Sequence, residues 1–139
     1  MKVNIGPYKK DRKVKVKIHK YDTWNADHTL ALVILPLLKK LKKYKPGAPL
    51  VDDEDVPDKI KVINAPKKEN EWDIDKFWFK RWNWVLKEMI WSFEQIIDEE
   101  AESQFFKNGI VDFGALKKWE DRKANGFRLF GKYYQSLWT

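Results

Sequence analysis

The segment from Trp72 to Asp98 constrains the fold most, because it predicts one long helix with two separate aromatic faces. At about 100° per residue, most of its apolar side chains fall on one broad arc that has the width of an ordinary core face. A chain with this segment must build its core around that arc. The arc consists of Trp78, Trp82, Val85, Leu86, Met89, Ile90, Phe93, Ile96 and Ile97.

The opposite side of the same helix carries a second, narrower stripe at i, i+3 and i+4 spacing. A small protein has little reason to leave Phe77, Trp84 and Trp91 in water. We therefore expect another helix, a second subunit or a ligand to cover this side. The stripe consists of Phe77, Arg81, Trp84, Glu88, Trp91 and Gln95.

Hydrophobic periodicity predicts a mainly α fold with three long helices, at about 26–44, 73–101 and 112–138. The third is continuous or slightly kinked, with an apolar face opposite a basic one. The alternative is a helix–turn–helix broken at Asn125-Gly126, a dipeptide that also suits turns. The apolar stripe of the first helix consists of Leu30, Val33, Ile34, Leu37, Leu38, Leu41 and Tyr44.

Before the helices, Val14, Val16 and Ile18 alternate with lysines, which predicts a half-buried strand. Val3 and Ile5 supply its partner in an N-terminal β-ribbon. A two-stranded ribbon is marginally stable alone, so we expect it to lie on the helices. With 139 residues, the whole of 1–139 should form a single domain.

A long Pro-containing loop, 45–71, joins the first two helices. Loops of this length in a compact domain usually carry function or pack as ordered excursions. It contains four consecutive acids, Asp52 to Asp55, between two valines. This acidic turn suits solvent exposure or pairing with the lysine-rich first helix better than a cation site, because it lacks the spacing of a calcium loop.

The net charge of +7 favours anionic partners such as nucleotides or nucleic acids, although many lysines belong to solvated helix faces. The chain has no cysteine, which excludes disulfides and thiolate chemistry. It has no apolar run of about 18 residues, and its basic start does not resemble a signal peptide. We expect a soluble, intracellular protein with no membrane partner.

Several segments from Tyr21 onward are distinctive. They are Asp22-Thr23-Trp24 with Asp27-His28-Thr29-Leu30-Ala31, Gly47-x-Pro49-x-Val51-Asp52-Asp53-Glu54-Asp55-Val56-Pro57, Arg81-Trp82-x-Trp84-Val85-Leu86-x-Glu88-Met89-Ile90-Trp91-x-Phe93-Glu94, and Asn125-Gly126-x-Arg128-Leu129-Phe130-Gly131-Lys132-Tyr133-Tyr134-x-x-Leu137-Trp138. Together they resemble a family of small proteins of unknown function encoded by tailed bacteriophages. The resemblance implies action in the cytoplasm of an infected bacterium, or in a virion.

Two groups of side chains are candidates for binding a ligand. Charged and amide groups interleaved with indoles suit a stacking pocket, although an interhelical seam in which Arg81 pairs with Glu88 explains them as well. A basic stripe on the third helix suits phosphates, although it also fits a solvated face. The candidates are Arg81, Trp84, Glu88 and Trp91 on the second helix, and Lys118, Arg122, Asn125, Arg128 and Lys132 on the third.

These features favour binding over catalysis, because the chain has no nucleotide-binding glycine loop, nucleophile elbow or paired-histidine metal helix. We expect capture of an anionic, nucleotide-like ligand without a cofactor, which would blunt a host defence by sequestering a nucleotide signal. One alternative is a self-assembling or virion-associated homo-oligomer that uses the Phe77, Trp84 and Trp91 face. Another is a small metal-dependent hydrolase that uses Asp22, Asp27, His28 and the acidic turn, although helix capping explains the two aspartates as simply.

Overall fold

Helices dominate the protein in a computed structural model, which describes residues 1–138. The mainly α architecture and the N-terminal β-ribbon are as the sequence predicts. Within the described residues, the strands and α-helices are β1 (Lys2–Ile5), β2 (Val14–Lys17), α1 (Ala26–Tyr44), α2 (Trp78–Ile97), β3 (Phe106–Lys107), β4 (Ile110–Val111) and α3 (Phe113–Lys132).

Helix α2 is central, and α1 and α3 each pack against it. Its predicted core arc is confirmed, because Trp82, Val85, Leu86, Met89 and Phe93 are buried. Leu129 and Tyr133 from the end of the α3 region belong to the same core cluster, as do Ala31, Leu35 and Leu38 of α1.

The bounds of α1 match the prediction, whereas α2 and α3 are shorter than predicted. Helix α2 begins at Trp78 rather than 73, because the Asp75 carboxylate accepts the Phe77 backbone N–H at 2.9 Å and holds a turn there. It ends at Ile97 because Asp98 is extended. Helix α3 ends at Lys132 rather than 138, and a single 3₁₀ turn, Tyr134–Ser136, follows it.

Helix α3 runs without a break through Asn125 and Gly126, so the helix–turn–helix alternative is wrong. Gly126 is buried where α3 crosses α2, directly over Ser92. Gly126 therefore allows the two helices to approach closely and does not form a turn.

The apolar stripe predicted for α1 is partly wrong. Ala31, Leu35 and Leu38 are the buried residues, whereas Leu30 and Leu37 are 53% and 67% exposed. The prediction assumed that the widest apolar face of the helix is its buried face. Because α1 packs mainly on α2, a narrower side is covered and much of the wide one remains at the surface.

The β-ribbon does not lie on the helices as predicted, since all eight residues of β1 and β2 are exposed. Its strands pair antiparallel with Val3 opposite Val16 and Ile5 opposite Val14. The terminal ammonium group of Met1, 3.0 Å from the Asp22 carboxylate, ties the ribbon to the turn before α1. This anchoring contact is an ion pair rather than apolar packing.

The long loop is an ordered excursion. It contains three 3₁₀ turns, Asp53–Asp55, Asp58–Ile60 and Val62–Asn64. The two valines that flank the acidic turn, Val51 and Val56, are buried in the core cluster. In the part of the chain that the structure describes, no helix is long and apolar enough to cross a membrane.

Candidate functional site

The basic side of α3, where the sequence predicts phosphate contacts, is paired with the acidic turn of the long loop. The Lys132 ammonium nitrogen lies 2.8 Å from Asp52, 3.0 Å from Glu54 and 2.6 Å from Asp55, measured to a carboxylate oxygen in each case. Arg128 donates to Asp55 at 2.6 Å. Three carboxylates thus meet two cations, which leaves no excess positive charge for a ligand.

Asp55 is the centre of this cluster, with a side chain only 1% exposed. The Tyr133 hydroxyl donates to its second oxygen at 2.6 Å and accepts the Asp52 backbone N–H at 3.0 Å. Burial acts to raise the pKa of Asp55, but hydrogen bonds from Lys132, Tyr133 and Arg128 outweigh it and hold that pKa below its usual value. Burial, followed by the Asp55 contact, raises the pKa of Tyr133 to about 12.

The acidic turn therefore fastens the long loop to α3. Its predicted pairing with the lysine-rich helix α1 is wrong, because the chain brings the α3 cations to it instead. Asp52, Glu54 and Asp55 do offer oxygens within 4.8 Å of one another, as a cation site would require. The Lys132 ammonium occupies the centre of that group, which removes the support for a metal-dependent hydrolase there.

We expect acid to weaken the protein partly through Asp55. A carboxylate whose pKa is lower in the folded state stabilises the fold above its unfolded pKa of about 4, and that contribution is lost as pH falls through the folded pKa. The free energy of unfolding in urea should therefore fall below about pH 4, and less steeply for Asp55→Asn than for the native chain. Asp121→Asn, an exposed matched change, should leave the slope unaltered, and equal slopes for all three proteins would contradict this role of Asp55.

Arg81 is not available to a ligand, although the sequence made it a candidate. Its side chain is 1% exposed, and its guanidinium donates to Asp75 at 2.9 Å and to the Ile60 carbonyl at 3.2 Å. The hydrogen bond from Arg81 lowers the pKa of Asp75. The alternative pairing of Arg81 with Glu88 is also wrong. Arg81 is instead a buried link between α2 and the long loop.

Glu88 and Trp91 belong to a seam between α2 and α3. Arg122 donates to Glu88 at 2.9 Å, and its guanidinium carbon lies 3.9 Å from the centre of the Trp91 ring. One helix turn further on, Gln95 accepts the Trp119 indole N–H at 2.9 Å. The sequence leaves open whether another helix, a second subunit or a ligand covers this face. Over Trp91 the cover is another helix of the same chain, α3.

The remaining α3 candidates do not converge on a pocket. The side-chain amide oxygen of Asn125 accepts from Arg128 at 2.9 Å. Lys118 is exposed and, within residues 1–138, has no carboxylate within 4.0 Å. A single free lysine beside two paired arginines offers little field for an anion.

The Asp22 carboxylate, one of the candidate metal or acid–base groups, is fully engaged. It accepts the His19 backbone N–H at 2.7 Å and the terminal ammonium group of Met1. The first bond, followed by the second, lowers the pKa of Asp22. Asp22 thus caps the turn before α1, and the ordinary capping explanation fits it.

An open groove between α1 and α2 brings together lysines for which the sequence predicts solvated helix faces. Its first hollow, of about 460 Å³, has four lysines around an apolar floor. The two helices contribute side chains from facing surfaces, so the lysines of both converge on one space. The lining residues are Lys39, Lys42, Lys43, Lys87 and Ile90.

A second hollow of about 260 Å³ adjoins the first and extends toward the start of α2 and the long loop. Trp84, which is half-buried, contributes the aromatic surface. Lys42 and Lys87 line both hollows, and we call the two together the lysine groove. The second hollow is lined by Lys42, Lys59, Ile60, Lys80, Asn83, Trp84 and Lys87.

The lysine groove is a region of uncompensated charge. Lys39 pairs with Glu94 at 2.9 Å across the two helices. Among the described residues, its other five lysines have no carboxylate within 4.0 Å, a set made up of Lys42, Lys43, Lys59, Lys80 and Lys87. The spacing of Lys39, Lys42 and Lys43 at i, i+3 and i+4 was visible in the sequence. That α2 turns its own lysines toward them was not.

An apolar hollow of about 370 Å³ lies between α1 and the end of the α3 region. Helix α1 supplies Leu30 and Leu37, which the core does not cover, and the C-terminal turn supplies Tyr134, which is 62% exposed.

Comparison of the chain with protein-family models, with curated proteins and with solved structures finds no match.

Proposed function

We propose that this protein binds an anionic, nucleotide-like ligand in the lysine groove. The observation that carries the proposal is the convergence of five lysines, none paired with a carboxylate in the described residues, on a space bordered by Trp84. The proposal keeps the ligand class that the sequence indicates, and keeps Trp84 as the stacking residue. It moves the phosphate contacts from α3 to α1 and α2.

Charge and shape support this ligand class. Like charges held close together repel one another, and a bound phosphate relieves that repulsion while accepting charge-assisted hydrogen bonds. The half-buried indole of Trp84 offers a flat apolar surface on which a base would stack. The groove is open, so long lysine side chains would close on a phosphate from several directions.

The lining residues favour binding over catalysis. Among the described residues, the two hollows are lined by lysines, isoleucines, one asparagine and one tryptophan. Neither a carboxylate nor a histidine stands there as a general base, and no hydroxyl stands there as a nucleophile. The resemblance to small proteins of tailed phages supplies a setting, an infected bacterium in which capture of a nucleotide signal would blunt a host defence.

Charge reversal at the shared lysines tests the proposal. Removing two charge-assisted hydrogen bonds, each worth about 2 kcal/mol, should weaken nucleotide binding by about 100-fold or more in Lys42→Glu/Lys87→Glu. Isothermal calorimetry with adenine and guanine mononucleotides and dinucleotides measures the change in affinity. The matched control is Lys107→Glu/Lys118→Glu, which changes the net charge equally outside the groove and should retain most of the affinity. Equal losses in both variants, or no binding by the native chain at millimolar nucleotide, would refute the proposal.

Self-assembly is the second candidate, and the apolar hollow beside α1 favours it, in place of the Phe77, Trp84 and Trp91 face that the sequence predicts. Leu30 and Leu37 line the hollow and are largely exposed, so the hollow lies within an apolar surface patch. An isologous dimer needs a surface of this kind, because the same patch must fit its own copy. Residues lining the hollow are all uncharged, so the hollow itself brings no like charges together in a dimer. Light scattering on serial dilution distinguishes a dimer from a monomer.

A further inference from the structure

We infer that the lysine groove is built for two bases joined through a phosphate, as in a dinucleotide or a short stretch of a single strand. This inference rests on the proposed function and names the ligand class more narrowly. Its basis is the order of side chains along the groove. An apolar surface stands at each end, and two lysines stand between them.

The order follows from helix geometry on α2. Trp84, Lys87 and Ile90 are spaced three residues apart, so each lies about 4.5 Å further along the helix axis than the one before. Each of these three residues is also rotated by about 60° around the helix axis from the one before. Lys87 therefore lies between Trp84 and Ile90 both along the axis and around it. Lys42 of α1 lines the same two hollows from across the groove.

A ligand that matches this order has a planar apolar group at each end and a negative charge in the middle. Two nucleosides linked by a phosphate have that pattern. One base would lie against Trp84 and Ile60, the other against Ile90, and the linking phosphate would lie between Lys42 and Lys87. Further phosphates would meet Lys43 at one end or Lys80 at the other.

The spacing further favours bases that are not stacked on each other. Trp84 and Ile90 are about 9 Å apart along the axis, whereas stacked neighbours in a strand rise about 3.4 Å. A duplex keeps its bases stacked and paired, so it cannot present their faces to the two hollows. The groove therefore suits a splayed, single-stranded ligand.

Calorimetry with a graded set of ligands tests the inference. The set consists of inorganic phosphate, adenosine monophosphate, a dinucleoside monophosphate, single strands of four and eight nucleotides, and an eight-base-pair duplex. We expect the dinucleotide to bind at least about tenfold more tightly than the mononucleotide, and the duplex to bind less tightly than the single strands. An affinity that stops rising at two units identifies a free dinucleotide as the ligand, whereas a continued rise identifies a strand.

Two variants locate the effect. Ile90→Ala should reduce the advantage of the dinucleotide over the mononucleotide by about fivefold. Trp84→Leu, which keeps an apolar side chain in place, should weaken both ligands. If the mononucleotide binds as tightly as the dinucleotide and binding still requires Lys42 and Lys87, the inference is wrong and the proposed function stands. If no member of the set binds, both are wrong.

Discussion

Replacing Gly126 by alanine should lower the free energy of unfolding by about 3 kcal/mol, because α3 has no room for a methyl group where it crosses α2. A Cβ at this position would overlap the Ser92 hydroxyl and lie 2.7 Å from the Glu88 backbone oxygen. A backbone oxygen cannot rotate away, so the helices would have to separate. Urea denaturation followed by circular dichroism measures the loss.

A second glycine of the same helix is the matched control. Gly131 has no atom within 4 Å of the position that a Cβ would take. Gly131→Ala should therefore raise the free energy of unfolding by up to about 1 kcal/mol, since alanine is the better helix former. The two substitutions are chemically identical and should have opposite signs. A stabilising effect of Gly126→Ala would contradict the tight crossing of α2 and α3.

Removing the Asp75 carboxylate should cost about 3–5 kcal/mol, because it strands the buried guanidinium of Arg81. Arg81 is 1% exposed, and the Ile60 carbonyl would be its main remaining partner. Breaking one side of a buried ion pair is more harmful than removing both sides, since the surviving charge has no solvent to turn to. Urea denaturation of Asp75→Ala and of the native chain measures the difference in the free energy of unfolding.

The double variant Asp75→Ala/Arg81→Met separates this cause from simple loss of packing. Methionine retains much of the apolar stem of arginine and carries no charge, so the double variant should recover most of the stability lost in Asp75→Ala. If the double variant is less stable than Asp75→Ala alone, the penalty does not come from an unpaired cation. That result would mean that the stem of Arg81, rather than its charge, is what the fold requires.

Local patterns in the sequence are sufficient to predict that the three helices exist and roughly where they lie. The periodicity of α2 identifies its buried arc, and the segregated faces of α3 correctly favour a continuous helix through Gly126. The ends were less accurate, because side-chain bonds such as that of Asp75 to the Phe77 N–H decide where a helix begins. The predictions that the ribbon lies on the helices and that the wide apolar face of α1 is buried are wrong. Both features depend on which surfaces of the folded chain meet, and local patterns do not show this.

Charge pairing between distant segments was beyond the sequence. The acidic turn and Lys132 are separated by nearly 80 residues, and nothing local to either one indicates its partner. The pairing nonetheless decides the candidate site, because it removes Arg128 and Lys132 from the free positive charge. The lysine groove was missed for the same reason. Its two halves look like ordinary solvated faces until α1 and α2 are packed side by side.

Chemical-shift mapping by NMR tests the central claim most directly, because it locates a ligand without altering the protein. On titration with a dinucleoside monophosphate, we expect the largest changes at the Trp84 indole N–H and at the backbone amides near Lys42 and Lys87. Changes confined to Arg122, Asn125 and Arg128 on α3 would return the site to the basic stripe that the sequence first indicates. Such a result, or the absence of any change at saturating ligand, would contradict binding in the lysine groove.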